Sequence, residues 1–374
     1  MEKTDTAVET EFGWARLEES NSRERFMEQE SKGVSRKPII RNLILSLTGK
    51  CNYKCVYCYA SCHPEQEMTV ETALRAADIA GSSGRTFILQ FTGGEPLLAF
   101  PVLKTVTEYV EQKRYPAILQ LQTNCSLMTS ETADYLKEHN IAVGVSLDGR
   151  PPVNDSLRKK KDGNSASEAT IRGIRLLAAK KIPIGLTCVV TEANVKSLPG
   201  IVQMAFYLGN VRQIGFDLLR CQGRGSGLEP ASPEEVSRAM EACYLLAEKL
   251  EKATGIHIRF SQLEKIRKVA SGKACPFGQC YAMHGEEAYV TSDGKIYACS
   301  SLVGKETYLL GDVWSGMDPE KTFLVGKKIE EAMKACRYCP QLCVCGGGCF
   351  TRWQGRDGKA EEECAMQQVF AKYI

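Results

Sequence analysis

The 374-residue chain carries 48 Lys and Arg against 45 Asp and Glu, a formal net charge of +3, which gives no electrostatic argument for nucleic acid or an anionic membrane as a partner. A hydrophobic content of 43% and a charged content of 25% describe an ordinary globular chain, long enough for one large core and a smaller second unit. No run approaches the roughly 18 consecutive apolar residues of a membrane span. The acidic-rich start, residues 1–30, lacks the apolar core of a secretory signal and the basic character of a transit peptide, so a cytoplasmic protein is expected. Seventeen cysteines beside only four histidines point to soft-metal thiolate ligation in a reducing compartment. That balance favours iron–sulfur clusters over catalytic zinc, with a structural four-cysteine zinc as the alternative for any one group.

In chain order, residues 1–37 show no periodicity beyond a short polar helix and read as an N-terminal extension. Apolar runs then predict strands over 39–47, 87–91, 117–121, 141–146, 184–190 and 212–219. Amphipathic segments predict helices near 69–80, 101–113, 129–139, 166–180, 195–208 and 233–253. Six βα units imply a parallel sheet covered by helices, and periodicity alone leaves open whether it is doubly wound or a partial (β/α)6 barrel. In either case the ligand site lies at the C-terminal ends of the strands. The unusual residues fall there: the cysteine loop after the first strand, Thr92-Gly93-Gly94-Glu95-Pro96 after the second, Gln122-Thr123-Asn124-Cys125 after the third and Ser146-Leu147-Asp148-Gly149 after the fourth.

Composition changes after Ser271: nine cysteines, Cys275 to Cys364, fall within 90 residues. A hairpin is expected between 288–290 and 295–297, turning at Ser292-Asp293-Gly294. Little conventional core is expected there, so metal is the expected source of folding energy. The domain boundary falls near residue 270, giving units 1–37, 38–270 and 271–374. Cys125, Cys188, Cys221 and Cys243 sit on or beside core elements and read as small buried hydrophobes.

The first loop holds Cys51, Cys55 and Cys58 at C-x3-C-x2-C spacing. A four-iron cluster held by three thiolates keeps one iron open to a non-protein ligand, and Cys62 reads as a bystander because a fourth thiolate would close that iron. This loop resembles that of the radical S-adenosylmethionine (SAM) enzymes. The resemblance implies a partial (β/α)6 TIM-like barrel, reductive cleavage of SAM to a 5'-deoxyadenosyl radical, and hydrogen abstraction from substrate. It also implies that Gly93, Gly94 and Glu95 recognise the SAM amino group, with Glu95 as charge partner of the ammonium. Asn124, Ser146 and Asp148 are the further candidates for SAM contacts.

The later spacing C-x4-C-x18-C, then C-x2-C-x5-C-x3-C and a final Cys364, is similar to the SPASM extension of these enzymes. Carried over by position, Cys275, Cys280, Cys299 and Cys349 hold one auxiliary cluster, and Cys336, Cys339, Cys345 and Cys364 the other. That makes three [4Fe-4S] clusters in all. Cys275 is either a ligand or an open position, and Cys343 is the extra thiol. Asp148-Gly149 followed by Asn154-Asp155 and Arg158 is similar to a segment of the members that modify peptides and proteins. Arg158 itself reads either as part of that segment or as a solvated member of the run Arg158–Lys161, a basic rim able to attract an acidic peptide.

The reaction these features imply is maturation of a ribosomally made peptide by a thioether or carbon–carbon cross-link. The alternatives are a protein dehydrogenase like the sulfatase maturases, which form formylglycine, and a peptide decarboxylase or epimerase. Against the sulfatase type, Ser300 follows Cys299 where those members carry an aspartate base. Expected partners are a precursor peptide or protein, an electron donor such as flavodoxin or ferredoxin, and a separate leader-binding protein, with no nucleic acid or membrane.

Overall fold

The computed structural model describes residues 39–353 and 360–374, so the expected extension over 1–37 lies outside the described residues. The first half of the chain alternates strand and helix: β1 (Asn42–Ser46), α1 (Val70–Gly81), β2 (Phe87–Thr92), α2 (Phe100–Gln112), β3 (Ala117–Thr123), α3 (Ser130–Glu138) and β4 (Ala142–Ser146). It continues with α4 (Pro151–Leu157), α5 (Ala166–Ala179), β5 (Ile184–Val190), α6 (Pro199–Leu208), β6 (Val211–Leu218), α7 (Pro233–Thr254), β7 (Arg259–Phe260) and α8 (Ser261–Ala270). Side-chain N-caps start four of these helices: Thr69, Thr129, Ser165 and Ser232 each accept the N–H three residues on, satisfying a donor the helix itself leaves unpaired.

Strands β1 to β7 are parallel neighbours in simple chain order. A doubly wound sheet reverses its strand order, and this one does not, which decides the question periodicity left open in favour of the open barrel. Burial alternates along β2 and β5. Phe87, Leu89 and Phe91 are buried on one face, and Ile88, Gln90 and Thr92 are half-buried on the other. Gln122 on β3 and Ser146 on β4 share that less buried face, joined by a 3.1 Å hydrogen bond. A polar interior at the strand ends is the setting of the site.

The remainder adds to the same sheet. β8 (Glu287–Val290) pairs in parallel with β1, then β9 (Lys295–Tyr297), β10 (Leu309–Asp312) and β11 (Gly316–Met317) follow antiparallel, and the order reads β11-β10-β9-β8-β1 through β7. The expected hairpin is β8–β9. Helices α9 (Pro319–Ala332) and α10 (Glu361–Ala371) close the chain, α10 packing on α7 and α8. The expectation of little core after residue 270 is wrong. Tyr289, Val290, Ile296, Leu302, Ile329 and Phe370 are each at most 2% exposed and, Tyr289 apart, belong to one core shared with the barrel. We propose residue 270 as the boundary of the extension on topology and cysteine content. Among the described residues no helix is long and apolar enough to cross a membrane.

Candidate active site

The cysteine loop leaves the end of β1 and is held as backbone on two sides. Residues 157–161 run beside it: Val56 N–H donates to the Leu157 carbonyl (2.9 Å), Lys54 N–H to Lys159 (2.6 Å) and Lys161 N–H to Asn52 (3.1 Å). On the other flank Arg224 donates its backbone N–H to the Cys58 carbonyl (3.0 Å) and its Nε to the Cys55 carbonyl (2.8 Å). A side chain at Gly223 would meet the Cys58 carbonyl at 2.6 Å. Nothing in sequence spacing marks Gly223 and Arg224 as supports of a loop 165 or so residues earlier.

The three thiols are half-buried. Burial first, then Glu95, Cys55 and Cys58, push the Cys51 thiol up to about 12. Burial pushes Cys55 up to about 11 against the pull of Arg158. Tyr53 N–H donates to Cys51 Sγ at 3.3 Å, and Asn124 Nδ2 lies 3.9 Å from the same sulfur.

The glycines are required by the approach of two loops. A Cβ on Gly93, whose φ is +140°, would meet the Thr48 carbonyl at 2.3 Å, and one on Gly94 the Lys50 carbonyl at 2.2 Å. Gly94 N–H donates to Thr48 O (2.6 Å) and Glu95 N–H to Lys50 O (2.9 Å), so the second loop is stitched to the first. Gly94→Ala is expected to displace the cysteine loop. The expected cost is about 2 kcal/mol of stability, with lowered iron uptake, read from denaturation midpoints and iron content.

Glu95 joins two strand ends. Its carboxylate is fully buried and accepts from Thr123 Oγ1 (2.6 Å), Asn124 N–H (2.8 Å) and Leu97 N–H (3.1 Å). Burial raises it from 4.5 to about 7 despite those three donors. A raised carboxyl binds its proton more tightly folded than unfolded, so its stability contribution is full below about 4.5 and is lost as pH rises through 7. The loss is on the order of 3 kcal/mol. Glu95→Gln is expected to flatten the fall in stability over that window, seen in urea midpoints against pH; Glu287, raised to about 7 by burial, keeps a residual slope.

Asn124 is likewise committed: its Nδ2 donates to Asn52 Oδ1 (2.9 Å) and its Oδ1 accepts from Ser126. Asp148 is 1% exposed and ion-paired with Arg158, whose Nη2 and Nε lie 2.9 Å from its two oxygens. It also accepts from Val189 N–H (2.9 Å) and from Tyr57 of the cysteine loop. Asp148 thus braces the cysteine loop from within the protein, and Arg158, 6% exposed, is no solvated rim residue. Ser146 is half-buried on the inner face, its hydroxyl accepting from Gln122.

In the extension, Cys280, Cys299 and Cys349 lie within electrostatic reach of one another, and burial and Glu287 push Cys299 up to about 12. Cys275 joins Cys280 through a turn closed by Gly278 N–H to its carbonyl (3.0 Å). Cys336, Cys339, Cys345 and Cys364 line one cavity, together with Trp353 and Glu363. Backbone N–H groups of Gly348 and Gly347 are aimed at the Cys336 and Cys345 sulfurs. Cys62 and Cys343 are exposed. Cys125, Cys188 and Cys243 are buried as expected, but Cys221 is exposed, a correction that follows from its place just beyond β6.

Buried charge joins the extension to the barrel. Asp217 on β6 pairs with Arg220 (3.2 Å) and with Arg352, and Arg352 pairs with Glu363, which also accepts from Cys349 N–H (2.9 Å). Arg220 lies over the Tyr59 ring at 4.7 Å, and Tyr59 O–H donates to Ser300 Oγ (3.2 Å), linking the residues that follow Cys58 and Cys299. Burial lowers His63 to about 4, so it is neutral, and its Nδ1 is hydrogen-bonded with Tyr289 Oη (3.2 Å) beside them. Sequence reasoning missed Arg220, Arg352, Glu363, His63 and Tyr289; all but Glu363 have a partner far along the chain.

The donor chemistry fits iron–sulfur clusters. Among the described residues no three His, Cys, Asp or Glu side chains converge as on a single ion. A four-iron cluster spreads its thiolates over separate irons and asks instead for cysteines around one cavity, which Cys336, Cys339, Cys345 and Cys364 provide.

An open parallel barrel with a three-cysteine loop after its first strand defines an α/β enzyme of the radical SAM type with a cysteine-rich C-terminal region. The family model of the radical SAM superfamily matches residues 45–205. An uncharacterized protein of Methanocaldococcus jannaschii, MJ0907, is 32% identical over 267 residues, 71% of this chain and 86% of that one. The Fe-coproporphyrin III synthase of Methanosarcina barkeri is 33% identical over 55% of this chain and 50% of its own. The serine-type anaerobic sulfatase-maturating enzyme of Klebsiella aerogenes is 26% identical over 84% of this chain and 80% of its own. The solved structure of native anSMEcpe with bound AdoMet and Cp18Cys peptide superposes with a TM-score of 0.72 at 21% identity, covering 90% of this chain and 97% of that one. The chain belongs to the radical SAM superfamily, and its fold is that of the members with a SPASM-type extension.

Proposed function

We propose that this radical SAM oxidoreductase acts on a peptide or protein, oxidising a side chain in the manner of the sulfatase-maturating enzymes. The observation that carries the reading is the contact between the two cysteine systems, in which Tyr59, next to Cys58, donates to Ser300, next to Cys299. The oxidation gives a hydrogen atom to the 5'-deoxyadenosyl radical, an electron to an auxiliary cluster and a proton to solvent, which requires an initiating site and an electron outlet close together. In this reading Cys51, Cys55 and Cys58 hold a [4Fe-4S] cluster that, with SAM, supplies a 5'-deoxyadenosyl radical. The backbone of Gly93 and Gly94 and the hydroxyl of Ser146 face SAM, while Glu95, Asn124 and Asp148 hold those groups in place. Cys275, Cys280, Cys299 and Cys349 hold one auxiliary cluster and Cys336, Cys339, Cys345 and Cys364 the other. An electron donor such as flavodoxin or ferredoxin completes the system, a separate leader-binding protein serves where the substrate has a leader, and the protein works in the cytoplasm.

Similarity over four-fifths of both chains to a sulfatase-maturating enzyme supports side-chain dehydrogenation above the thioether or carbon–carbon cross-link. Anaerobic incubation with SAM, reductant and serine- or cysteine-bearing peptides tests it. The expected product is a peptide aldehyde that reacts with a hydrazide; a product two hydrogens lighter without an aldehyde supports the cross-link, and loss of carbon dioxide the decarboxylase. A second reading, action on an iron porphyrin, draws support from the 33% identity, over half of its own length, to the Fe-coproporphyrin III synthase. A changed mass of an added iron porphyrin, with no peptide modified, marks that outcome.

A further inference from the structure

We propose that the basic cavity beside the cysteine loop is the docking site of a small acidic one-electron redox protein that reduces the centre held by Cys51, Cys55 and Cys58. The proposal rests on the reading of that loop given above and adds where the electron enters.

The cavity, of about 480 Å³, is lined by Asn52, Ser126, Lys160, Lys161, Asp162 and Arg172. Its positive charge is set by backbone pairing: hydrogen bonds between 52–56 and 157–161 lay Lys159, Lys160 and Lys161 along the loop, which itself exposes Lys50 and Lys54. Asp162 is neutralised by Lys160 at 2.8 Å, and Glu168 lies one turn before Arg172 on α5. Among the described residues Lys54, Lys159, Lys161 and Arg172 have no carboxylate partner, so the face keeps a net positive field able to steer an acidic partner.

The cavity lining reaches the cysteine loop through a short chain of contacts. Asn52 Nδ2 donates to Ser126 Oγ (2.8 Å), Asn52 Oδ1 accepts from Asn124 Nδ2 (2.9 Å), and that same nitrogen lies 3.9 Å from Cys51 Sγ. Two side chains thus separate the cavity from the thiol, while the opposite flank of the loop is closed by Gly223 and Arg224. Part of the wall is α5, Ala169 and Arg172, on the outer helical layer. A substrate must instead reach the inner face of the sheet, so the position favours an electron donor over an acidic peptide. The step is one electron lost by the donor and one gained by the centre, with no atom transferred.

The test pairs Lys161→Glu with Arg172→Glu in the reconstituted protein. With an acidic flavodoxin as reductant, both the KM for flavodoxin in SAM cleavage and its Kd from a binding titration are expected to rise about tenfold at low salt, the difference shrinking as salt screens the charges. Cleavage driven by dithionite, which needs no docking, is expected to stay within about twofold of the parent. Unchanged flavodoxin Kd and KM would overturn the proposal, as would an equal loss of peptide modification with dithionite, which marks the cavity as a substrate site. Failure of the parent to cleave SAM with dithionite counts against the reading of the cysteine loop, while the Kd still decides the docking.

Discussion

Replacing Cys55 by alanine is expected to lower the iron content of the anaerobically reconstituted protein from about twelve to about eight per chain and to reduce SAM cleavage at least roughly 10³-fold. Two thiols cannot hold the cluster that three are proposed to hold, and without it no radical forms. The effect is chemical and not a collapse of the loop, because the loop is held by backbone groups the substitution leaves intact: Val56 N–H to Leu157, and Arg224 Nε to the residue 55 carbonyl. Iron analysis and the yield of 5'-deoxyadenosine read the two effects separately. Cys343→Ala, at an exposed thiol outside the four that line the second cavity, is expected to change neither. Retention of all iron and full cleavage by Cys55→Ala contradicts the assignment.

Arg158→Leu is expected to destabilise the protein by about 3–5 kcal/mol, the usual consequence of stranding one member of a buried ion pair. Asp148, 1% exposed, would keep only Val189 N–H and Tyr57 as donors and lose the hydrogen bond from Arg158 Nη2 and the ion pair with the guanidinium. Because Tyr57 belongs to the cysteine loop, SAM cleavage is expected to fall with stability. Adding Asp148→Asn removes the stranded charge and is expected to recover much of the loss in chemical denaturation. A single variant as stable as the parent contradicts the account of this pair.

The elements of the barrel were legible because local chemistry writes them. Apolar runs marked β2 and β5, whose burial alternates in the fold, and Thr69, Thr129, Ser165 and Ser232 cap helices at the predicted starts. What stayed hidden was partner choice. Periodicity shows that Asp148 and Glu95 end strands, but not that their oxygens bond to Arg158, Thr123 and Asn124, so their bracing of the strand ends was not legible. The pairing of β8 with β1 joins segments some 245 residues apart, and no local pattern encodes it. For the same reason the extension read as poor in core: its apolar residues are few per segment, but they pack against those of the barrel. The cysteine spacing was the exception, since ligands around one cluster must recur at short intervals, and Cys336, Cys339, Cys345 and Cys364 were grouped from spacing and family resemblance and are found around one cavity.

The central claim is that the loop of Cys51, Cys55 and Cys58 holds a cluster with one iron open to SAM. Electron paramagnetic resonance of the reduced protein, recorded with and without SAM, tests it most directly. One of the three cluster signals is expected to shift on adding SAM, and that signal is expected to be missing from a variant with all three cysteines replaced by alanine. A SAM-induced shift that survives in the triple variant, or no shift in the parent, would contradict it.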